Sequence, residues 1–232
     1  MSRGGCSCRE SASQNSWERC PCPEISVIDN LLGLAADPIP PERSIRMLRL
    51  GYFGQIMPSK GLDLILEALE LVVRNGSGSI VLVIHGTDLQ QLEHWPEDWQ
   101  ACRQAILSRL DKLHGHVVKH GPYAQSQIPQ LMAEVDWVVM GSHWPENSPV
   151  VIQESLACGR PLLVPGFGGM AEKVQNGIQG LHYTPGSAVA LADKIHRCLQ
   201  DRQLQPALAA NCRRSPDRDA QLAALHWRVY RP

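Results

Sequence analysis

Glu146 and Glu154 stand eight positions apart in the stretch ENSPVVIQES, and the residues between them are largely apolar. Helical spacing puts Val150 and Val151 one turn before Glu154, with Ala157 and Cys158 ahead of it. An unpaired carboxylate on such a surface is costly. Glu154 therefore either turns to solvent or meets a polar partner in a cleft. A ribose, with two adjacent hydroxyls, is a suitable partner for a carboxylate acceptor. Glu146 precedes the helix and can face a ligand directly. Ser148 and Pro149 suit the N-cap and first helical positions. Amides near Ser148, Val150 and Val151 are then placed to receive an oxyanion or a diphosphate.

A second candidate loop is GYFGQIMPSKG, residues 51–61. Gly51 and Gly54 allow a sharp turn and close approach of backbone to a ligand. Ser59 is a plausible N-cap for the helix that follows. Lys60 then falls in its first turn, where a cation opposes the helix dipole. It makes better sense as a reach toward an anion than as a helix stabiliser, although a solvated surface lysine is the plain alternative. The loop matches neither a Walker motif nor a G-x-G-x-x-G dinucleotide fingerprint. A third loop, GFGGM (166–170), offers three glycines before another helix start. It reads either as a further place for amides to meet an anion or as a tight strand-to-helix turn.

These loops need elements to hold them. MLRLGYF (47–53), IVLVIHG (80–86), HVVKHG (116–121), DWVVMG (136–141), RPLLVPG (160–166) and GLHYT (180–184) read as strands. Helical patterns lie between them, at 59–75, 97–112, 127–135, 149–158 and 169–177. Others follow at 187–200, 203–212 and 218–229. In the first, Leu62, Ile65, Leu66, Leu69 and Val73 share one side. Strand then helix, repeated, predicts an α/β fold: a doubly wound parallel sheet forming a single Rossmann-like domain. Right-handed crossovers bring all the strand C-termini to one edge, where ligands bind. Residues 25–200 are expected to form this domain. Residues 1–24 are read as a poorly packed tail and 201–232 as closing helices.

The 232 residues are 44% apolar and carry a formal net charge of -1, which gives no sign of a nucleic-acid partner. No transmembrane run occurs, and the start lacks the apolar core of a signal peptide. A cytoplasmic location is the resulting expectation, with peripheral contact at a membrane left open. Cys6, Cys8, Cys20 and Cys22 form two C-x-C pairs. Four thiolates suit zinc, but no compact scaffold surrounds them, and an unstructured tail is the preferred reading. Cys102, Cys158, Cys198 and Cys212 read as buried small hydrophobes.

The segment ENSPVVIQESLACGRPLLVPGFGGMAEKVQNGIQGLHY resembles the signature region of the family 4 glycosyltransferases. GQIMPSKGLDLILEAL and HGPYAQSQIPQLMAEVDWVVMGSHW resemble two further segments of the same family, in the same order. The likeness spans roughly residues 25 to 200. It implies the C-terminal, donor-binding half of a retaining enzyme of two-domain GT-B architecture. The family's E-x7-E motif maps onto Glu146 and Glu154. By this resemblance Glu154 binds the ribose hydroxyls of a nucleoside-diphosphate sugar. Glu146 contacts the sugar near the reacting carbon, and Lys60 neutralises the diphosphate. Glu146 and Lys60 are thus the catalytic candidates. Gly54, Gln55, Asn147, Ser148 and Val150 are the remaining donor-binding candidates. The family often has an arginine where this chain has Gln55, so the usual two-cation clamp is in doubt here. Pro122 and Tyr123 are candidate neighbours of the base.

No cofactor or metal is implied. The triplet Asp217-Arg218-Asp219 is a D-x-D sequence, but it falls between helices away from the strand edge. The acceptor site of such enzymes belongs to an N-terminal Rossmann-like domain, expected here in cis or in trans. Trp227 and Tyr230 either pack toward that domain or complete this one's core. Two alternatives stand beside transfer: a non-catalytic nucleotide-sugar-binding module, and a nucleotide-sugar epimerase of the same two-domain fold.

Overall fold

Short apolar runs alternate with amphipathic stretches, and in the computed structural model they become six parallel strands separated by helices. The structure describes residues 47–76, 79–86 and 88–212. The strands are β1 (Leu48–Gly54), β2 (Ile80–Gly86), β3 (Val117–Gly121), β4 (Trp137–Val139), β5 (Leu162–Pro165) and β6 (Gly180–Tyr183). Helices α1 (Leu62–Arg74) and α2 (Gln100–Lys112) follow β1 and β2. Next come α3 (Ile128–Ala133), α4 (Val150–Ala157) and α5 (Gly168–Lys173), after β3, β4 and β5. Helices α6 (Ala188–Gln200) and α7 (Leu204–Ala209) follow β6.

The sheet order is β3-β2-β1-β4-β5-β6, and every neighbouring pair is parallel. The doubly wound α/β fold expected from the sequence is therefore the one observed. Chain order reverses between β1 and β4, which defines the switch point where such sheets open a crevice.

Period-two alternation sorts the strand residues into two cores. Leu50 and Tyr52 of β1 lie with Leu82, Ile84, Trp137 and Val139, packed against Leu62, Ile65, Leu66 and Leu69 of α1 and Leu191 and Ile195 of α6. Phe53 lies on the other side with Val81, Val83, Val138, Leu162 and Val164, covered by Ile128, Met132, Ile152 and Met170. Each fully buried leucine or isoleucine contributes about 1.5–3 kcal/mol relative to exposure. The apolar stripe of α1 is nearly as expected, except that Val73 is only partly buried and Val72 fully so.

Several local expectations are corrected. Ser59 does not cap α1. It sits inside a 3-10 turn, Pro58–Lys60, and the cap is Gly61 with φ of 64°. Lys60 therefore precedes α1, and its first turn instead carries Asp63, which suits the dipole. Ser148 does not cap α4, because the N-cap is Pro149. Gly51 is not in a turn: it is a mid-strand residue of β1, paired with Val83 and Val138. Ser187 caps α6, accepting from the Ala190 amide at 3.1 Å. Of the four cysteines read as buried, Cys158 and Cys198 are so, while Cys102 and Cys212 are only partly covered. The N-terminal cysteine pairs, the stretch 24–46, Asp217-Arg218-Asp219, Trp227 and Tyr230 lie outside the described residues.

Candidate functional site

Two loops leave the C-termini of β1 and β4 side by side, and glycines let them touch. A Cβ on Gly61 would run into the carbonyl of Gly141, and a Cβ on Gly141 would run into the carbonyl of Gly61. Only residues without side chains permit this crossing, and Gly61 also needs its positive φ. The His143 amide then donates to the Ser59 carbonyl at 2.9 Å. The β4–α4 loop is thereby laid across the turn that carries Lys60.

The crossing brings two distant charges together. Lys60 Nζ lies 2.9 Å from Oε2 of Glu146, with the two side chains 36% and 14% exposed. The other carboxylate oxygen, Oε1, accepts from Ser142 Oγ at 2.8 Å. The backbone of Glu146 is held as well, since its carbonyl accepts from the Gly169 amide at 2.6 Å. A Cβ on Gly169 would strike the carbonyls of Glu146 and Asn147. The glycines of the 166–170 loop thus let α5 pack against the Glu146 loop. This amide of the loop is taken by the protein rather than offered to an anion.

Between the loops lies a cleft of about 450 Å³. Its lining includes Gly54, Gln55, Lys60, Glu146, Ser148, Val150 and Glu154, seven of the eight residues singled out from the sequence. Asn147 is the exception: it is exposed and does not line the cleft. Ser148 Oγ accepts from Gln153 Nε2 at 3.1 Å, within its own loop and helix.

Glu154 is 6% exposed and sits on the cleft wall. The choice left open by the helical pattern is decided for the cleft rather than bulk solvent. Among the described residues none donates a hydrogen bond or forms an ion pair with its carboxylate. Burial raises its pKa above the ordinary carboxylate value. Its charge also helps to push the nearby Tyr123 phenol to about 12, after the larger effect of that ring's own burial. A second opening of about 520 Å³ shares Gly54, Gln55, Tyr123 and Glu154 with the cleft. Gln91, Pro122 and Gln125 also line it, so both residues proposed as base neighbours border Glu154's surroundings.

Under the cleft the support is aromatic. His85 stacks between Phe53 at 4.7 Å and His120 at 4.9 Å, with Tyr123 edge-on at 6.1 Å. Its Nε2 is buried without a hydrogen-bond partner, and burial, then His120, lowers its pKa to about 4. Tyr52 closes the floor; its hydroxyl donates to the Gln55 carbonyl at 2.6 Å. Burial, and secondarily the Glu146 carboxylate, push that phenol well above its ordinary range.

The sequence reading missed Ser142, Gly61, Gly141 and Tyr52, while Gly169 falls in the glycine loop it had singled out. The signal for Gly61 was its place just before a helix lacking a Ser, Thr, Asp or Asn cap at that position. Ser142 carried no local signal. Chemically, the cleft lining carries a paired cation and carboxylate and, separately, a buried carboxylate that has no partner among the described residues. That suits a ligand with an anionic group and a polyol. Among the described residues, no helix is long and apolar enough to cross a membrane.

Comparison with known proteins agrees with this geometry. A family model described as "Glycosyl transferases group 1" matches residues 47–215. The glycogen synthase of Mycobacterium tuberculosis is 30% identical over 207 residues, which is 87% of this chain and 46% of that protein. The lipopolysaccharide 1,2-N-acetylglucosaminetransferase of Salmonella typhimurium is 25% identical over 197 residues, 80% of this chain and 50% of the relative. Among solved structures, HepE of Anabaena in complex with UDP superimposes with a TM-score of 0.65 at 25% identity, covering 79% of this chain and 50% of that one. The C-terminal domain of a group 1 glycosyl transferase from Francisella tularensis shares the fold at a TM-score of 0.55 and 23% identity, and 87% of that shorter chain is covered. This chain spans about half the length of the curated relatives it matches.

Proposed function

Because this chain belongs to the group 1 glycosyl transferases and has the fold of a GT-B C-terminal domain, we propose that it is the donor-binding half of a family 4, retaining glycosyltransferase. The reaction moves a sugar from a nucleoside-diphosphate sugar to an acceptor hydroxyl. One observation carries the reading: Lys60, Glu146 and Glu154 converge on a single cleft at the β1/β4 switch point. HepE has been crystallised with UDP and with UDP-glucose, and ligands of that class match the cleft's polarity.

In this reading Glu154 accepts from the ribose hydroxyls. Its buried carboxylate has no donor among the described residues, so a ligand that supplies two hydroxyls relieves a desolvation cost. The diphosphate lies toward Lys60, with amides near the start of α4 facing it. As the glycosidic bond breaks, positive charge grows at the anomeric carbon and negative charge on the β-phosphate. A fixed cation aimed at that phosphate lowers the barrier. Gln55 donates hydrogen bonds there without adding charge, and no metal is required. Glu146 contacts the sugar near the reacting carbon. With Glu154 engaged by ribose, the two carboxylates do not form a glycosidase pair.

The donor half needs an acceptor domain, in cis or in trans. Positioning both reactants within about 3–3.5 Å requires surfaces on both sides, and an open cleft leaves water at the diphosphate. Purified alone, the 232-residue chain is expected to bind donor weakly and transfer it negligibly. Calorimetry with UDP-, GDP- and ADP-sugars, followed by transfer assays with and without a Rossmann-like partner domain, tests this. Absence of binding to every donor would refute the reading. Robust turnover by the chain alone, abolished by E146Q, would refute the half-enzyme part. Binding without transfer even when a partner is supplied would favour the second reading, a non-catalytic nucleotide-sugar-binding module.

A further inference from the structure

Ser142 follows β4 and is 2% exposed. Its Oγ lies 2.8 Å from Oε1 of Glu146, 3.0 Å from the Ser59 carbonyl and 3.4 Å from the Trp144 carbonyl. A serine hydroxyl carries one hydrogen, so three acceptors compete for it. The carboxylate is the nearest, and a bond to it is charge-assisted, so Glu146 takes the hydrogen. The Ser59 carbonyl is served instead by the His143 amide. Glu146 thus has one donor on each oxygen: Lys60 on Oε2 and Ser142 on Oε1.

We propose that Ser142 is a positioning residue of the transfer site, orienting Glu146 toward the donor sugar and keeping it oriented when Lys60 turns to the diphosphate. This rests on the functional reading above. Lys60 is 36% exposed and long, and a diphosphate is a stronger attractor than one carboxylate. When the donor draws Lys60 away, Oε2 loses its partner. Ser142, buried and short, does not move with the ligand. Its bond to Oε1 is what leaves Glu146 in place for the sugar. No other described side chain donates to that carboxylate.

The test compares binding of a nucleoside diphosphate with binding of its sugar conjugate. The pair used is whichever of UDP, GDP and ADP binds tightest, together with its glucose conjugate. S142A should weaken the sugar conjugate by about tenfold, the scale of one hydrogen bond to a charged group. The bare nucleoside diphosphate should change less than about twofold, since Glu146 does not hold it. S142T, which keeps a hydroxyl, should recover most of the loss. In an E146Q background, S142A should add little. Equal losses for both ligands, or full additivity with E146Q, would overturn the proposal. A ligand-free arm separates it from the functional reading. Thermal unfolding of S142A, E146Q and the double variant should show midpoint shifts that fail to add, whether or not any donor binds. Additive shifts there would show that Ser142 does not act through Glu146. Lack of donor binding by the unaltered chain would instead refute the functional reading.

Discussion

Lys60 and Glu146, 86 positions apart in the chain, form an ion pair of 2.9 Å at the mouth of the cleft. Before a donor arrives each satisfies the other. On the proposed reading, a diphosphate entering the cleft exchanges one anionic partner of Lys60 for another of higher charge. K60A should therefore weaken a nucleoside diphosphate by about 1.5–3 kcal/mol, the range for hydrogen bonds to charged groups. The free nucleoside should be almost unaffected. Calorimetry on the two ligands measures the difference, and equal losses would argue against a phosphate role for Lys60.

If it binds the donor as proposed, Glu154 sets function against stability. Its carboxyl is buried and its pKa raised, so the folded state disfavours the charged form relative to the unfolded chain. At neutral pH the ionised group costs folding free energy, and the cost fades as pH falls through the folded-state pKa. E154Q removes the charge with little change of shape. Its thermal midpoint should equal or exceed that of the unaltered chain, while donor affinity falls by about 1–3 kcal/mol. Unchanged affinity for the preferred donor would exclude the ribose assignment.

The Gly61–Gly141 crossing holds Lys60 against Glu146. Alanine at 61 would carry a Cβ at φ of 64° and drive it into the Gly141 carbonyl. Strain of the first kind alone costs about 1 kcal/mol, and the clash adds a backbone shift. G61A should lose about 2 kcal/mol or more in urea unfolding and should also lower donor affinity. A loss below about 0.5 kcal/mol would mean that the loops separate freely and the crossing is not needed.

His85 predicts an acid-side weakness. In the fold its pKa is lowered to about 4, against an ordinary 6.5. Between these values the unfolded chain takes up a proton that the folded one refuses. Stability tied to the neutral ring is complete above pH 6.5 and is lost as pH falls toward 4, by up to about 3 kcal/mol. H85F keeps a ring between Phe53 and His120 and removes the proton site. Unfolding curves at pH 7 and pH 5 should show a smaller acid-induced loss for H85F than for the unaltered chain. Identical losses would show that His85 is not the group responsible.

The order of strands and helices was legible along the chain because each element repeats its apolar residues at its own period. Ile80–Ile84 of β2 is an unbroken apolar run, and α1 places Leu62, Ile65, Leu66 and Leu69 on one side. Those patterns fix which residues must be buried, and thereby the layering and the strand edge that carries the loops. Glu154 could be picked out because a charge is anomalous on an apolar helix, and Glu146 because it stands in the loop before that helix at the family's motif spacing, whereas Lys60 was singled out from a helix position that the structure does not give it. Their mutual geometry was not legible. Glu154 has apolar neighbours on more than one side, so its wheel position left cleft and solvent open, and only its burial after packing separated them. The local cap rules favoured Ser59 and Ser148, yet tertiary contacts outweighed a single capping bond. The close approach of Gly61 to Gly141 moved the first helix start, and Ser148 bonds to Gln153. Ser142 reaches Glu146 within one loop, four positions on, only because that loop folds back on itself, and Lys60 meets Glu146 because β1 and β4 are neighbours in the sheet though distant in the chain. Strand adjacency depends on the packing of the whole sheet, and no local stretch of residues encodes it.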